Sequence, residues 1–225
     1  MNLALVTIPS RPGREATNMI QSLQIPGKEL NMETEPGQPL VILNPAANRG
    51  NMHKHRALVR SRAEQAKAQY LETRLQGEAK ERAMQAAREN RPVIIVGGDG
   101  SVHEVVNGIL ASGNRVPLGI VAAGSGNDFA WNTLKLPHDP AEAIERAFAG
   151  QLIDVDAGIV NERYFVNSLG IGLDADIAVA ATMLKKYPFM SGARLYYAAT
   201  LKQLLFGYHR CPWLSLDLVG GQHPA

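Results

Sequence analysis

The sequence predicts a doubly wound α/β fold built around a mainly parallel sheet, and three observations support this prediction. Short apolar runs alternate with polar, helix-forming stretches from Leu40 to about residue 150, which is typical of parallel strands joined by helical crossovers. Glycine-rich loops follow two of these apolar runs. The chain has 225 residues, a hydrophobic content of 45% and a net charge of +2, which are sufficient for a buried core and ordinary for a globular protein.

The predicted elements follow one another in a regular order. Strands are predicted at 39–44, within 68–74, at 93–96 and at 117–122, and helices at 51–66, 77–90, 102–111 and 139–150. After residue 150 the pattern changes to two β-segments around a turn at Asn161 and Glu162. Two helices are expected next, over 173–187 and 192–206, and then a strand-like run, PWLSLDLVG.

These changes in pattern predict three parts of the chain. Residues 1–37 contain several prolines and glycines without periodicity and are expected to be a disordered leader. Residues 38–150 form the predicted nucleotide-binding domain. Residues 151–225 form the start of an incomplete, β-rich second domain.

Composition excludes several classes of protein. The net charge is too low for a dedicated nucleic-acid-binding protein, and a single cysteine, Cys211, excludes an internal disulfide framework and fits a reducing compartment. The apolar runs are far shorter than the roughly 20 residues of a transmembrane helix. We therefore expect a cytoplasmic protein without a transmembrane span, peripheral at a membrane if it contacts one.

The most informative segment is VIIVGGDGSVHEVVNGIL, at 93–110. A strand that ends in Gly97 and Gly98 and continues into a helix predicts a phosphate site, because backbone N–H groups and the helix dipole favour an anion there. Asp99 would repel a bare phosphate, so its presence favours Mg²⁺ between carboxylate and phosphates. Ser101 and Glu104 have the S-x-x-E spacing of a capping box, which competes with a ligand-binding role for both residues.

Three further residues of this segment are candidates. Gly100 lies in the same glycine loop and is expected to approach a phosphate closely. Asn107 lies one turn after His103 on the same side of the helix, so it is either a ligand contact or an exposed polar residue. For His103 a position on the helix surface is favoured over a role as general base.

Two more loops follow strands of the predicted sheet. In AGSGND, at 123–128, Gly124 and Gly126 flank Ser125, whose hydroxyl can donate to a phosphate oxygen. Asn127 and Asp128 suit either a ligand contact or a helix N-cap. The loop Asn44–Gly50 offers backbone N–H groups to a nucleotide. Because ligands bind at the carboxyl ends of parallel strands, the three loops should line one edge of the sheet.

These motifs resemble, in order and spacing, the diacylglycerol kinase catalytic-domain family, which includes bacterial lipid kinases and the sphingosine and ceramide kinases. The matching pieces are LNPAANRG, YLETR, VGGDGSVHEVVNGIL, PLGIVAAGSGNDFAWNTLKLP and IDVDAGIVNERYFVNSLGIGLDADIA. The tetrad GGDG is shared with NAD kinases and phosphofructokinases. Its combination with HEVVNG and AGSGNDFA is much more specific to this family.

The resemblance implies an α/β nucleotide-binding domain followed by a β-rich domain, with ATP bound in the cleft between them. It implies an ATP-dependent lipid kinase that uses Mg²⁺ and transfers the γ-phosphoryl group to a lipid hydroxyl, such as that of diacylglycerol, at a membrane surface. Asp99 would lie beside the phosphates and the metal as the catalytic residue. The implied ATP-binding residues are Asn44, Pro45, Ala46, Ala47, Asn48, Thr73, Gly97, Gly98, Asp99, Gly100, Ser101, Glu104, Asn107, Gly124, Ser125, Asn127 and Asp128.

The chain also departs from the family pattern. The family's catalytic base lies in a D-G-E-like segment near the C-terminus, close to a loop that holds a structural Mg²⁺, and we find no counterpart of either. We therefore expect a C-terminally truncated member that has little activity alone. A non-catalytic nucleotide-binding remnant or regulatory protein and an NAD kinase-like enzyme are the alternatives.

Three questions stay open at this stage. The sequence does not identify the lipid, and it leaves open whether the protein is a homodimer. The basic and then apolar segment at 185–190, KKYPFM, is either a lipid contact or a helix end followed by a buried turn, and the second is favoured.

Overall fold

The computed structural model describes residues 2–6, 37–47, 53–150, 152–160, 162–170, 172–184 and 193–207. The chain divides into two compact units, Met1–Ser168 and Leu169–Ala225. The predicted boundary after residue 150 therefore differs from the observed division. The reason is that two strands after residue 150, Leu152–Asp156 and Arg163–Phe165, pack against a strand and a helix of the first unit rather than starting a separate one.

The first unit is built on a six-stranded sheet, and most of its strands are parallel. Its strands are β1 (Asn2–Val6), β2 (Leu40–Leu43), β3 (Gln69–Glu72), β4 (Val93–Gly97), β5 (Leu118–Ala122) and β6 (Leu152–Asp156). Their order across the sheet is β3-β2-β4-β5-β1-β6, and only the β1–β6 pair is antiparallel. A separate antiparallel hairpin is formed by β7 (Gly158–Val160) and β8 (Arg163–Phe165), which lie on either side of the predicted turn in the sequence.

The helices lie close to their predicted positions. They are α1 (His53–Gln65), α2 (Glu78–Arg88), α3 (Asp99–Ala111), α4 (Pro140–Ala149), α5 (Leu173–Leu184) and α6 (Ala193–Phe206). Asp139 begins α4 as its N-cap, because its carboxylate accepts a hydrogen bond of 2.9 Å from the N–H of Glu142. None of the described helices is long and apolar enough to cross a lipid bilayer.

Helices cover both faces of the sheet, as the doubly wound prediction requires. Along β2, Leu40 and Ile42 join the hydrophobic cluster that contains α2 and α3, whereas Val41 and Leu43 join the cluster that contains α1 and α4. Strands buried on both faces are apolar throughout. This burial explains why β2, β4 and β5 appear in the sequence as continuous apolar runs.

Two predictions are corrected near the N-terminal ends of the chain and of α3. The leader is not disordered throughout, because Asn2–Val6 form β1 and pair with β5 and β6. Helix α3 begins at Asp99 rather than at residue 102, and its N-cap is Gly98 without a side-chain cap. Ser101 therefore lies inside the first turn, and the predicted capping box of Ser101 with Glu104 is wrong.

Several predicted features lie outside the described residues. These are the rest of the leader to residue 36, Asn48, the segment at 185–190, Cys211 and the strand-like run PWLSLDLVG.

A short π-helix, Phe129–Thr133, was not predicted. The second unit contains α5 and α6, which pack against each other through Ile177, Ala180 and Ala199.

Candidate nucleotide-binding site

The three predicted loops lie together at one edge of the sheet, where β2, β4 and β5 end. The N–H of Asn44 donates to the carbonyl of Val96 over 3.0 Å, and the N–H of Ala123 donates to the carbonyl of Gly97 over 2.8 Å. Thr73 joins the same edge, since its N–H donates to the carbonyl of Leu43 over 2.9 Å. We call residues 44–47, 73, 97–101 and 123–128 the loop edge.

The two glycine loops touch each other through their backbones. A Cβ atom on Gly124 would lie 2.5 Å from the Cα of Gly98 and 2.7 Å from Oδ1 of Asn127. A Cβ atom on Gly97 would lie 2.6 Å from Cβ of Ser101. Real Cβ atoms do not approach other atoms this closely, so these glycines are required for packing the loops together, whatever ligand binds there.

Gly100 is a different kind of glycine. It is exposed in the first turn of α3, and a Cβ atom on it would meet nothing within 4 Å. The N–H groups of Ser101 and Val102 both point back to the carbonyl of Gly98, over 2.9 and 3.1 Å. The first turn of a helix is a favourable place for an anion, and at Gly100 the backbone is accessible to one.

Asp99 connects the glycine loop after β4 to the loop after β5. Its Oδ2 accepts a hydrogen bond of 2.7 Å from the N–H of Asn127, and its Oδ1 accepts one of 3.3 Å from the N–H of Phe129. The carboxylate also borders Gly126, where a Cβ atom would lie 3.0 Å from Oδ2 of Asp99 and 4.0 Å from Oδ2 of Asp128. Holding the second loop in place is a role of Asp99 that the sequence did not indicate.

Asn127 shapes the loop after β5 from within. Its backbone has a φ of +63°, a left-handed conformation that asparagine adopts more readily than most residues. Its Oδ1 accepts from the N–H of Gly124 over 2.7 Å, and its Nδ2 donates to the carbonyl of Gly124 over 3.0 Å. The side chain is buried, whereas Ser125 and Asp128 are exposed on the same loop.

Asn44 links the loop after β2 to α3. Its Nδ2 donates to Oγ of Ser101 over 2.8 Å, while its Oδ1 accepts from the N–H of Ala46 over 3.0 Å. Ser101 is buried, so its hydroxyl is held in a fixed position by Asn44. All three loops are therefore joined by side chains, through Asn44 on one side and Asp99 on the other.

Not every predicted site residue belongs to the loop edge. Asn107 lies two turns further along α3 and is buried, and its carboxamide binds the backbone of Tyr164 and His103. This geometry gives Asn107 a partner other than a nucleotide. Glu104 is partly buried and His103 exposed on the same helix. The contact between Asn107 and Tyr164 had no signal in the sequence, because the two residues lie far apart in the chain.

The acidic side chains of the site do not form a metal-binding cluster by themselves. In the part of the chain that the structure describes, no group of three or more His, Cys, Asp or Glu side chains is placed to hold a metal ion. Mg²⁺ is commonly held by one or two carboxylates together with the phosphates of a nucleotide. Asp99 and Asp128, on either side of Gly126, are the carboxylates of the loop edge that suit such an arrangement.

Comparison with known proteins identifies a family to which this chain is similar. The family model described as the diacylglycerol kinase catalytic domain matches residues 38–160. A diacylglycerol kinase of Bacillus subtilis (strain 168) is 34% identical over 168 residues, which cover 73% of this chain and 54% of the relative. A diacylglycerol kinase of Staphylococcus saprophyticus is 42% identical over 92 residues, which cover 40% of this chain and 30% of that protein.

A solved structure leads to the same family. The crystal structure of a diacylglycerol kinase from Bacillus anthracis str. Sterne aligns with a TM-score of 0.57 and 29% identity, covering 68% of this chain and 55% of that one. The chain thus spans about half the length of these longer relatives. The matched residues 38–160 make up more than half of the chain and include all of the loop edge. The chain therefore belongs to the diacylglycerol kinase catalytic-domain family.

Proposed function

We propose that this chain carries the nucleotide-binding part of an ATP-dependent lipid kinase, which transfers the γ-phosphoryl group of ATP to the hydroxyl of diacylglycerol or a similar lipid. The observation that carries this proposal is the loop edge itself. Two glycine loops meet there at Gly98 and Gly124, beside an open helix N-terminus at Gly100. The names of the relatives support a lipid as the acceptor.

The residues of the loop edge fit the triphosphate of ATP. Exposed backbone at Gly100 has no side chain to prevent close approach, and the dipole of α3 favours negative charge at this end. The hydroxyl of Ser125 is exposed on the facing loop, where it can donate to a phosphate oxygen. We propose that the phosphates lie against the first turn of α3, between the loops at 44–47 and 123–128.

Asp99 and Asp128 would hold Mg²⁺ together with the phosphates. When bound, Mg²⁺ neutralises charge on the phosphoryl group. The two hydrogen bonds from the backbone to Asp99 leave further lone pairs on its oxygens for this purpose. We accordingly propose that Asp99 both positions the loop at 123–128 and faces the nucleotide.

Other side chains of the loop edge would support phosphoryl transfer by holding groups of the site in fixed positions. Phosphoryl transfer depends mainly on alignment and on stabilisation of charge by fixed donors. Asn44 holds the hydroxyl of Ser101, and Asn127 holds the backbone of Gly124. These fixed contacts mean that little reorganisation is needed when the phosphates bind.

Replacing Gly100 with alanine tests the position of the phosphates. The added methyl group meets no protein atom, so Gly100→Ala should fold normally and gain up to about 1 kcal/mol from reduced chain entropy. The same methyl group would lie where the phosphates approach. We expect the affinity for MgATP, measured by titration calorimetry, to fall by about tenfold, equivalent to one lost hydrogen bond of about 1.4 kcal/mol.

Ala111→Ser, an exposed change at the other end of α3, serves as the control and should bind MgATP as the wild type does. Equal affinity of Gly100→Ala and the wild type would place the phosphates elsewhere.

The acceptor is tested by following label from ATP into diacylglycerol or NAD. Label in NAD and none in the lipid would contradict the proposal.

A further inference from the structure

The carboxamide of Asn107 makes its three shortest hydrogen bonds to backbone groups, and its Nδ2 also lies 3.5 Å from Nε2 of His103. Its Oδ1 accepts from the N–H of Tyr164 over 2.9 Å, and its Nδ2 donates to the carbonyls of Tyr164 and His103 over 2.8 and 2.9 Å. The side chain is only 6% exposed. One side chain of α3 thus pairs with both the donor and the acceptor of a single residue in β8.

Among the described residues, β7 is the strand partner of β8 on one side, and Asn107 binds the backbone of β8 on the other. In an antiparallel pair, the N–H and C=O groups of a residue either both face the partner strand or both point away from it. Tyr164 lies opposite Ile159 of β7, and its N–H and C=O groups are directed to Asn107 instead. Asn107 therefore occupies the position at which the backbone of a third strand would bind β8.

The hairpin depends on such an attachment. A two-stranded hairpin is at best marginally stable in water by itself. Within the hairpin, the ring of Phe165 covers the Cα atom of Gly158. Tyr164 and Val166 are partly buried against the same hydrophobic cluster as α3. Asn107 adds the hydrogen bonds that fix the register of β8 on this apolar contact.

We propose that Asn107 is a positioning residue that sets hairpin β7–β8 on the helix whose first turn would hold the phosphates of ATP. The catalytic consequence rests on the proposed function. Helix α3 runs from the loop edge to Asn107 without interruption, so the hairpin is placed relative to the bound nucleotide. The hairpin also contains the last strand of the first unit, which ends at Ser168.

The first test measures the hairpin directly, without any assay of activity. Asn107→Asp has nearly the same shape and keeps one acceptor for Tyr164, but it sets a carboxylate oxygen against the carbonyls that Nδ2 now binds. We expect amide exchange of Tyr164 and of peptides covering 158–166 to become at least about tenfold faster, as for one lost buried hydrogen bond. Exchange at 93–106, in β4 and the first turns of α3, should stay unchanged.

Asn114→Asp is the matched control. Asn114 also donates from its side chain to a backbone carbonyl, that of Ala87 over 3.0 Å, but it lies three residues after the end of α3, away from the loop edge. Exchange at 158–166 in Asn114→Asp should equal that of the wild type. Unchanged exchange of Tyr164 in Asn107→Asp would overturn the proposal, and so would lost protection across 93–106, which would make Asn107 a general core residue.

The second test separates positioning from nucleotide binding. Asn107→Asp should lower kcat by about tenfold and leave the KM for ATP within about twofold of the wild-type value. A raised KM for ATP with unchanged kcat would overturn the proposal in favour of a direct nucleotide contact. If the wild type does not bind ATP, the proposed function fails, and if it binds ATP without measurable turnover, there is no kcat to compare. The exchange of Tyr164 then decides the role of Asn107 alone.

Discussion

The carboxylate of Asp99 belongs to the first residue of α3, yet its partners are two backbone N–H groups on the loop after β5. Hydrogen bonds to a charged acceptor are stronger than those between neutral groups. Asp99 therefore supplies much of the connection between the two glycine loops. The ligand would bind beside a residue whose removal also loosens the loop.

Asp99→Asn should therefore destabilise the protein as well as affect nucleotide binding. Asparagine keeps one acceptor oxygen but presents an NH₂ group to the second backbone N–H, so the free energy of unfolding should fall by about 1–3 kcal/mol. Urea unfolding followed by circular dichroism measures this. Asp128→Asn is the control, because Asp128 is exposed and its partner is the side chain of Asn132. Equal stability of the two variants would argue against the connection.

The sequence identified candidate residues of the site, but it did not identify the residues that they contact. The glycines of GGDG and AGSG predicted close approach of a phosphate, whereas the structure shows that Gly98 and Gly124 pack against each other. Their mutual contact depends on β4 and β5 being neighbours, with Gly97 opposite Ala122, which the local pattern does not contain. The partner of Asn107 was not predictable for the same reason, because Tyr164 is 57 residues away.

Helices α2 and α3 approach each other closely where α3 has a glycine. A Cβ atom on Gly108 would overlap the carbonyl oxygen of Lys80 and lie 3.0 Å from the N of Met84. Both neighbouring atoms belong to the backbone of α2, so they cannot move aside without shifting the helix. The glycine in VVNGIL is therefore required by the packing of two helices and not by a ligand.

Gly108→Ala tests this helix contact. We expect the free energy of unfolding to fall by about 1–3 kcal/mol, the usual cost of overpacking a tight interface. Gly100→Ala makes the same change on the same helix where no atom lies near, so its stability should equal or exceed that of the wild type. Thermal unfolding of the two variants side by side provides the measurement. If Gly108→Ala is as stable as the wild type, α2 can shift away from the added methyl group at little cost in free energy.

At the level of elements, the sequence predicted strands and helices well where hydrophobic periodicity was strong, as in β4 and the later turns of α3. It placed the start of α3 too late because Gly98 caps the helix without a side chain. The π-helix Phe129–Thr133 was not predictable. It follows the left-handed Asn127, and its first N–H group binds Asp99, so it depends on a contact between distant segments.

The first and last strands of the large sheet lie beside each other. Strand β1 pairs with β5 at Leu5 and Leu118, and it pairs with β6 along its whole length, from Asn2 with Asp156 to Val6 with Leu152. Strand β6 is at the edge of the sheet, so β1 is its neighbouring strand. The N-terminal residues are in this way part of the fold of the first unit.

Deleting residues 1–6 should expose β6. Its backbone groups would lose their strand partner, so amide exchange at 152–156 should become much faster, while β2 and β4 keep their protection because β1 does not pair with them. Mass spectrometry of exchanged peptides measures both regions. Unchanged exchange at 152–156 would show that β6 is held without β1.

The position of β1 also affects the order in which the protein can fold. Strand β1 leaves the ribosome well before its partners at Leu118 and at 152–156, which lie much later in the chain. Pairing between such distant segments is slow, because a long loop must close before any contact is gained. Until then the edge of β5 presents unpaired N–H and C=O groups, which are a template for another chain. Strand β1 thus joins the sheet long after its own synthesis, and its arrival removes an edge at which nascent chains could aggregate.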